Sequence, residues 1–347
     1  MKKQVWATVA GAVALACLSS QAMAQSRDLN IVSWGGAYQD GQKEVFFKPF
    51  NATGIKLTDE AWDGGLGVLR TKIKGGNSTW DVVQVEADEL EVGCDEGLYE
   101  KLDVNKIGGA ARYLPGTVHA CGVGAIIYNL VLAYDGDKLK AAPNGWTDFF
   151  DTKKIAGKRS IRNGAKWNLE VALIADGVPA KDVYKVLRTP EGVERAFKKL
   201  DTIKGDLVFW KSGAQPPQML AAGDAVMTTA YNGRIDAAQR EGKNLAITWT
   251  GGIYDLDYWV MPKGTPNKDL AMKFIAMATN PTEQAEYTKH ISYGPTNNKA
   301  LAKIDPKILA LLPTSAANSK TALQFNITFW ADQGEALEKR FAAWAAQ

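Results

Sequence analysis

Two oppositely charged residues carry the chemistry most worth following in this chain. Arg234 closes the run Thr228-Thr229-Ala230-Tyr231-Asn232-Gly233-Arg234, in the first turn of a predicted helix that follows a predicted strand. Asp257 lies in Gly251-Gly252-Ile253-Tyr254-Asp255-Leu256-Asp257-Tyr258-Trp259, an apolar and aromatic stretch where an unpaired carboxylate is hard to justify. A guanidinium is a planar fork that grips a carboxylate through two parallel hydrogen bonds. A carboxylate walled by aromatic rings suits an ammonium, through charge and cation-π attraction. One fixed cation and one fixed anion sharing a cleft would suit a small zwitterion. The competing reading of Arg234 is a surface helix arginine paired with Asp236 or Glu241.

Other side chains with binding chemistry stand at strand ends, where ligands of α/β sheets sit. Trp34 ends a predicted strand just before Gly35-Gly36, with burial in a core as its alternative. Glu86 also ends a strand and can line a cleft, face solvent or cap the next helix. Trp62 and Asp63 precede Gly64-Gly65-Leu66-Gly67, which lacks the third glycine of a dinucleotide fingerprint and suits a turn or backbone donors facing a ligand. Trp210 and Ser212 lie on a strand-to-loop exit, where packing is an equal alternative for Trp210.

Catalytic chemistry has little support. His119 and His290 are the only histidines. There is no Gly-x-Ser-x-Gly elbow, no His-Glu-x-x-His, no phosphate-cradling Gly-x-x-x-x-Gly-Lys and no Cys/His cluster with zinc spacing. Neither an enzyme nor a metal or other cofactor is expected; the enzymatic alternative is a secreted carbohydrate-acting hydrolase with paired carboxylates. The 41 Lys and Arg residues are interspersed with 38 Asp and Glu, so no basic stripe awaits a polyanion and nucleic acid is excluded as a partner.

Residues 1–24 read as an export signal: Lys2 and Lys3, an apolar run over 5–18 too short and too rich in small residues to span a membrane stably, and Ala22-Met23-Ala24 before a mature start at Gln25. Acylation at Cys17 is the competing reading, weakened by the missing Leu three residues before it. The expected compartment is the periplasm, with a soluble, monomeric product. Cys94 and Cys121 remain in the mature chain, an even number in an oxidising compartment, so a bridge is expected, with two buried thiols as the alternative.

The side chains above must be positioned by alternating strands and helices, the layout of a mostly parallel sheet covered by helices. Strands are predicted over 29–34, 55–60, 80–85 and 122–129, with helices over 39–51, 66–74 and 88–96. A Lys-, Asp-, Gly- and Pro-rich stretch over 134–147 reads as a crossing between two lobes. A second set follows, with strands over 159–162, 207–210, 225–230 and 245–249 and helices over 169–175, 189–200, 218–222 and 234–241. Beyond 258–262 only helical patterns appear, such as 270–278 and 282–290. Length and 46% hydrophobic content allow two cores.

A set of short motifs gives the layout a family. Ile31-Val32-Ser33-Trp34-Gly35-Gly36, Trp80-Asp81-Val82-Val83, Glu96-Gly97-Leu98-Tyr99-Glu100-Lys101-Leu102-Asp103, Trp146-Thr147-Asp148-Phe149-Phe150, Ala230-Tyr231-Asn232-Gly233 and Tyr293-Gly294-Pro295-Thr296-Asn297 occur in the order found in periplasmic solute-binding proteins of ABC transporters. The chain resembles their spermidine/putrescine-binding branch over nearly its whole mature length. That resemblance implies a two-lobe α/β fold of type II, each lobe a mixed sheet flanked by helices, closing over ligand by a hinge. It implies lobe one at 27–131 plus 258–297 and lobe two at 132–257 plus 298–347, with crossings near 128–134 and 256–258, and ABC permease subunits as partners.

In the polyamine binders an aromatic box and acidic groups hold an extended cation. Carried onto this sequence, Trp34, Tyr231 and Tyr293 match box aromatics and Asp257 the central carboxylate. Trp167 stands where the family has a Glu for a terminal amine, and Arg234 where it has a small residue. An ammonium stripped of its carboxylate and facing an arginine is costly, so both departures turn from polyamines toward a zwitterion. A short ω-amino acid such as 4-aminobutyrate, taken by a related group of these proteins, fits best; a polyamine such as putrescine or spermidine, or a betaine-type quaternary ammonium, is the runner-up. A sensor serving a membrane chemoreceptor would use the same cleft.

Overall fold

In the computed structural model, residues 27–76, 78–139 and 141–347 are described. The expected leader, its cleavage site and Cys17 lie outside them. The described strands form one sheet: β1 (Leu29–Ser33), β2 (Leu57–Ala61), β3 (Val82–Glu86), β4 (Val118–His119), β5 (Gly122–Asp135), β6 (Arg159–Arg162), β7 (Leu207–Trp210), β8 (Met227–Tyr231), β9 (Leu245–Val260) and β10 (Leu323–Gln324). Its main order is β2-β1-β3-β9-β5-β8-β6-β7, with β4 on β5 and β10 on β9. Strands β1 and β3 are buried along their whole length, as helix-covered strands must be, which is why both read as nearly continuous apolar runs.

Two long antiparallel strands join the lobes. The first part of β5 pairs with the last part of β9, from Gly122 opposite Val260 to Leu130 opposite Ile253, and the last part of β5 pairs with the start of β9, from Leu132 opposite Thr248 to Asp135 opposite Leu245. Strand β3 meets β9 only at Asp257–Val260 in register, whereas β8 meets β5 only from Leu130 to Tyr134. Each lobe is thus a sheet built on one half of the same two strands.

This corrects the expected elements at three places. The strand expected over 245–249 does not stop there: one 16-residue strand runs from Leu245 to Val260. Gly251 and Gly252 supply a bulge within it, at the shift of register between the two lobes. Gly251 takes φ +70°, and an added Cβ would meet the Trp146 ring at 3.0 Å, so glycine is needed there. The crossing expected over 134–147 lies earlier, within β5, where its register against β9 shifts between Leu130 and Leu132. A strand also follows residue 262: β10 pairs parallel with β9 at Ile253 and Tyr254.

The C-terminal helix Ile327–Ala345 is tied to the second lobe. Trp330 Nε1 donates to Glu170 at 2.5 Å, Trp344 Nε1 donates to Asp201 at 2.7 Å, and Glu338 accepts from the backbone N–H groups of Ala165 and Lys166. The preceding stretch behaves differently: Ala300, Ile304 and Leu312 pack against Ala285 of helix Pro281–Tyr287. Cys94 and Cys121 are bridged, with Cα atoms 5.8 Å apart, tying helix Ala87–Asp95 to the start of β5. Among the described residues no helix is long and apolar enough to cross a membrane.

Candidate functional site

Strand ends and helix starts from both lobes surround one slender cavity of about 40 Å³. The first lobe contributes Trp34, Trp62, Asp63 and Glu86, the second Tyr231 and Arg234, and Asp257 and Tyr293 complete the set of expected residues that line it.

Asp257 sits on β9 directly opposite Glu86 on β3, so two carboxylates share one face of the sheet. Their surroundings separate them. Glu86 receives Arg162 Nη1 at 2.8 Å and Lys166 Nζ at 2.6 Å, both from the second lobe. Burial alone would raise its pKa, but these two cations outweigh it and hold the carboxyl below its ordinary value. Asp257 is only 5% exposed, and among the described residues no cation pairs with it. Burial pushes its carboxyl well above the usual range, and the charges of Glu86 and Asp255 push the same way. The Trp34 indole Nε1 faces it outside hydrogen-bond geometry and is itself buried without a partner. The neighbouring Asp255 is satisfied differently, by the Tyr128 hydroxyl at 3.0 Å and its own next backbone N–H at 2.8 Å.

Arg234 does not face bulk water: it is 4% exposed and reaches across the cleft. Its Nη1 donates to the Gly35 carbonyl at 2.7 Å and its Nη2 to the Trp34 carbonyl at 3.0 Å, with the guanidinium 5.3 Å from the Tyr38 ring centre. Two of five N–H donors are used on these carbonyls, leaving others for the cavity. The small residues beside it matter, since a Cβ on Gly36 would come within 3.2 Å of Nη1. The surface pairing considered for Arg234 goes instead to Arg240, which bridges Asp236 at 2.9 Å.

Aromatic walls complete the box. Trp34 and Trp62 stack with centroids 5.1 Å apart, and Trp62 Nε1 is anchored on the Gln84 carbonyl. Tyr231 stands edge-on to Tyr128 at 5.3 Å, and Tyr293 is tilted against Tyr38 at 5.5 Å.

Three expected site residues lie elsewhere. Trp167 is fully buried behind the cavity, edge-on to Tyr231, and caps helix Asn168–Ala175 at φ +66°, the one non-glycine positive φ among the described residues. Trp210 is also fully buried, its Nε1 3.3 Å from the Thr229 hydroxyl. Ser212 is spent on the turn before helix Gln215–Ala222, where its N–H donates to Gln215. Sequence reasoning missed Tyr38, Ile126, Tyr128, Arg162, Lys211 and Gly213, all of which line the cavity. Arg162 had a usable signal, because it ends a predicted strand just as Trp34 does.

The comparisons agree with this architecture. Residues 46–314 match the profile of bacterial extracellular solute-binding proteins. The gamma-aminobutyric acid-binding protein of Pseudomonas aeruginosa is 49% identical over 330 residues, covering 95% of this chain and 94% of that one. A solved ABC transporter substrate-binding protein from Bradyrhizobium japonicum superposes with TM-score 0.82 at 37% identity, over 92% of this chain and 99% of that one. A solved GABA receptor superposes with TM-score 0.81 at 36% identity, over 92% and 98%. The chain belongs to the bacterial extracellular solute-binding proteins, the ligand-capturing subunits of ABC transporters, and is not an enzyme.

Proposed function

We propose that the protein captures 4-aminobutyrate, or a close ω-amino acid, in the cavity between its lobes and delivers it to the membrane subunits of an ABC importer from the periplasm, after removal of the leader at 1–24. The observation that carries this reading is Asp257, a buried carboxylate with no cation partner among the described residues, opening onto a cavity that also holds the Arg234 guanidinium. The ligand ammonium neutralises Asp257 against the Trp34 and Trp62 rings. The ligand carboxylate takes the N–H donors of Arg234 not spent on the first lobe. A similar protein named for gamma-aminobutyric acid supports the choice.

Closure follows from the same contacts. Arg234 grips the main chain of Trp34 and Gly35 across the cleft, and Glu86 grips Arg162 and Lys166. Bound ligand adds attraction from both sides, so it favours the closed arrangement. We assign lobe one to 27–131 and 253–312 and lobe two to 132–252 and 313–347, moving 253–257 because they pair with the first half of β5 and 298–312 because of their packing on Ala285.

Calorimetry over ω-amino acids, diamines and betaines tests this. Micromolar or tighter binding of 4-aminobutyrate, equivalent to about −8 kcal/mol or better, is expected. Arg234→Ala should weaken it by roughly a hundredfold and raise the affinity ratio of diamine to 4-aminobutyrate. Binding of putrescine with 4-aminobutyrate ignored contradicts the proposal.

A further inference from the structure

We propose that Arg162 is a specificity-determining residue: a tethered cation beside Glu86 that takes the place of a second ligand amine and walls off the far end of the cavity. The inference rests on the reading of Asp257 as the ammonium partner.

Two carboxylates facing one cavity from adjacent strands make a natural grip for a molecule with two amines. Glu86 and Asp257 are such a pair, in direct register on β3 and β9. Only Asp257 is left for a ligand, because Arg162 Nη1 lies 2.8 Å from Glu86 Oε1. Two further contacts fix the arginine in this position. Its guanidinium carbon stands 4.7 Å from the Trp167 ring centre, and its carbonyl accepts from Asn168 Nδ2 at 2.7 Å. The buried Trp167 thus acts through Arg162, without touching the cavity itself.

A second, roomier chamber of about 570 Å³ lies behind the bridge, between the lobes, against about 40 Å³ for the ligand cavity. Asp63, Glu86 and Arg162 line both spaces, so the Glu86–Arg162 bridge is part of the partition. Lys166 lies on the chamber side only, between Glu86 at 2.6 Å and Asp88 at 2.7 Å, and Asp332 and Glu335 add further acidic groups there. Withdrawing the Arg162 fork would join the slender cavity to a roomy acidic space and free one oxygen of Glu86. Length and charge selection would relax together, in favour of longer ligands and of diamines.

Calorimetry on the full mature chain with 4-aminobutyrate, 6-aminohexanoate and 1,4-diaminobutane separates this role from a mere interlobe latch. In Arg162→Met the affinity ratio of diamine to 4-aminobutyrate should rise by about tenfold or more, and 6-aminohexanoate should gain on 4-aminobutyrate, since specificity is a difference of affinities. Lys166→Met removes a separate interlobe contact to the other oxygen of Glu86, leaves the Arg162 fork in place, and should weaken all three ligands by one common factor. Arg162→Lys restores a cation and should return the wild-type ranking, which also guards against a folding defect. An unchanged ranking in Arg162→Met, or an equal change in Lys166→Met, overturns the proposal. A wild type that takes the diamine and ignores 4-aminobutyrate contradicts the zwitterion reading itself, a different failure.

Discussion

Glu86 and Asp257 are neighbours of the same charge on adjacent strands, and the fold treats them oppositely. One is neutralised by Arg162 and Lys166 from the facing lobe; the other is kept from every protein cation among the described residues. A buried unpaired carboxylate costs several kcal/mol, so a fold that supplies two cations for one carboxylate and none for its neighbour is prepared for a cation from outside. On the proposed reading Glu86 serves closure and Asp257 serves the ligand.

Four changes probe that contrast. Asp257→Asn should weaken 4-aminobutyrate binding by about a hundredfold or more in calorimetry, since one partner of a desolvated charge pair is gone. The same variant should melt no lower than wild type without ligand, because it removes a buried charge. Glu86→Gln should show the reverse balance: a stability loss of about 3 kcal/mol in denaturant titration, from leaving Arg162 and part of Lys166 unpaired, with a smaller loss of affinity. Loss of binding in Glu86→Gln equal to that in Asp257→Asn would break the comparison. Removing the Cys94–Cys121 bridge by paired Ala substitutions should lower stability by about 3 kcal/mol on chain-entropy grounds and leave ligand ranking intact.

The smallest effect is with pH. Burial raises the carboxyl of Asp257 in the free protein, whereas an adjacent ligand ammonium favours its charged form. Binding therefore releases a proton below the raised free-state pKa, and affinity falls as pH drops through it, by up to about tenfold per pH unit. Calorimetry in buffers of different ionisation heat reads the released proton directly; Asp257→Asn should abolish the release.

Much of this was legible in the residues. The aromatic strand around Asp257, the Gly-flanked Trp34 and the helix-start Arg234 announce themselves by type and position, and all three meet in one cavity. The long β9 was not legible, because Gly251-Gly252 reads as a turn while the fold uses it as a bulge between lobes. Trp167 was misplaced for a related reason: its positive φ turns the chain at the helix start, so the ring packs behind Tyr231 while Arg162, five positions earlier, reaches the cavity. Interlobe pairings such as Glu86 with Arg162 and Lys166 join distant stretches through the closure geometry, which no local spacing encodes.

On the proposed reading one end of the ligand needs Asp257 and the other Arg234. The most direct test is calorimetry of the wild type with 4-aminobutyrate, butyrate and butylamine, which share a carbon chain and differ in the charges they carry. The zwitterion should bind about a hundredfold tighter than either half-charged analogue. Equal binding of butylamine would remove Arg234 from the site, and equal binding of butyrate would remove Asp257.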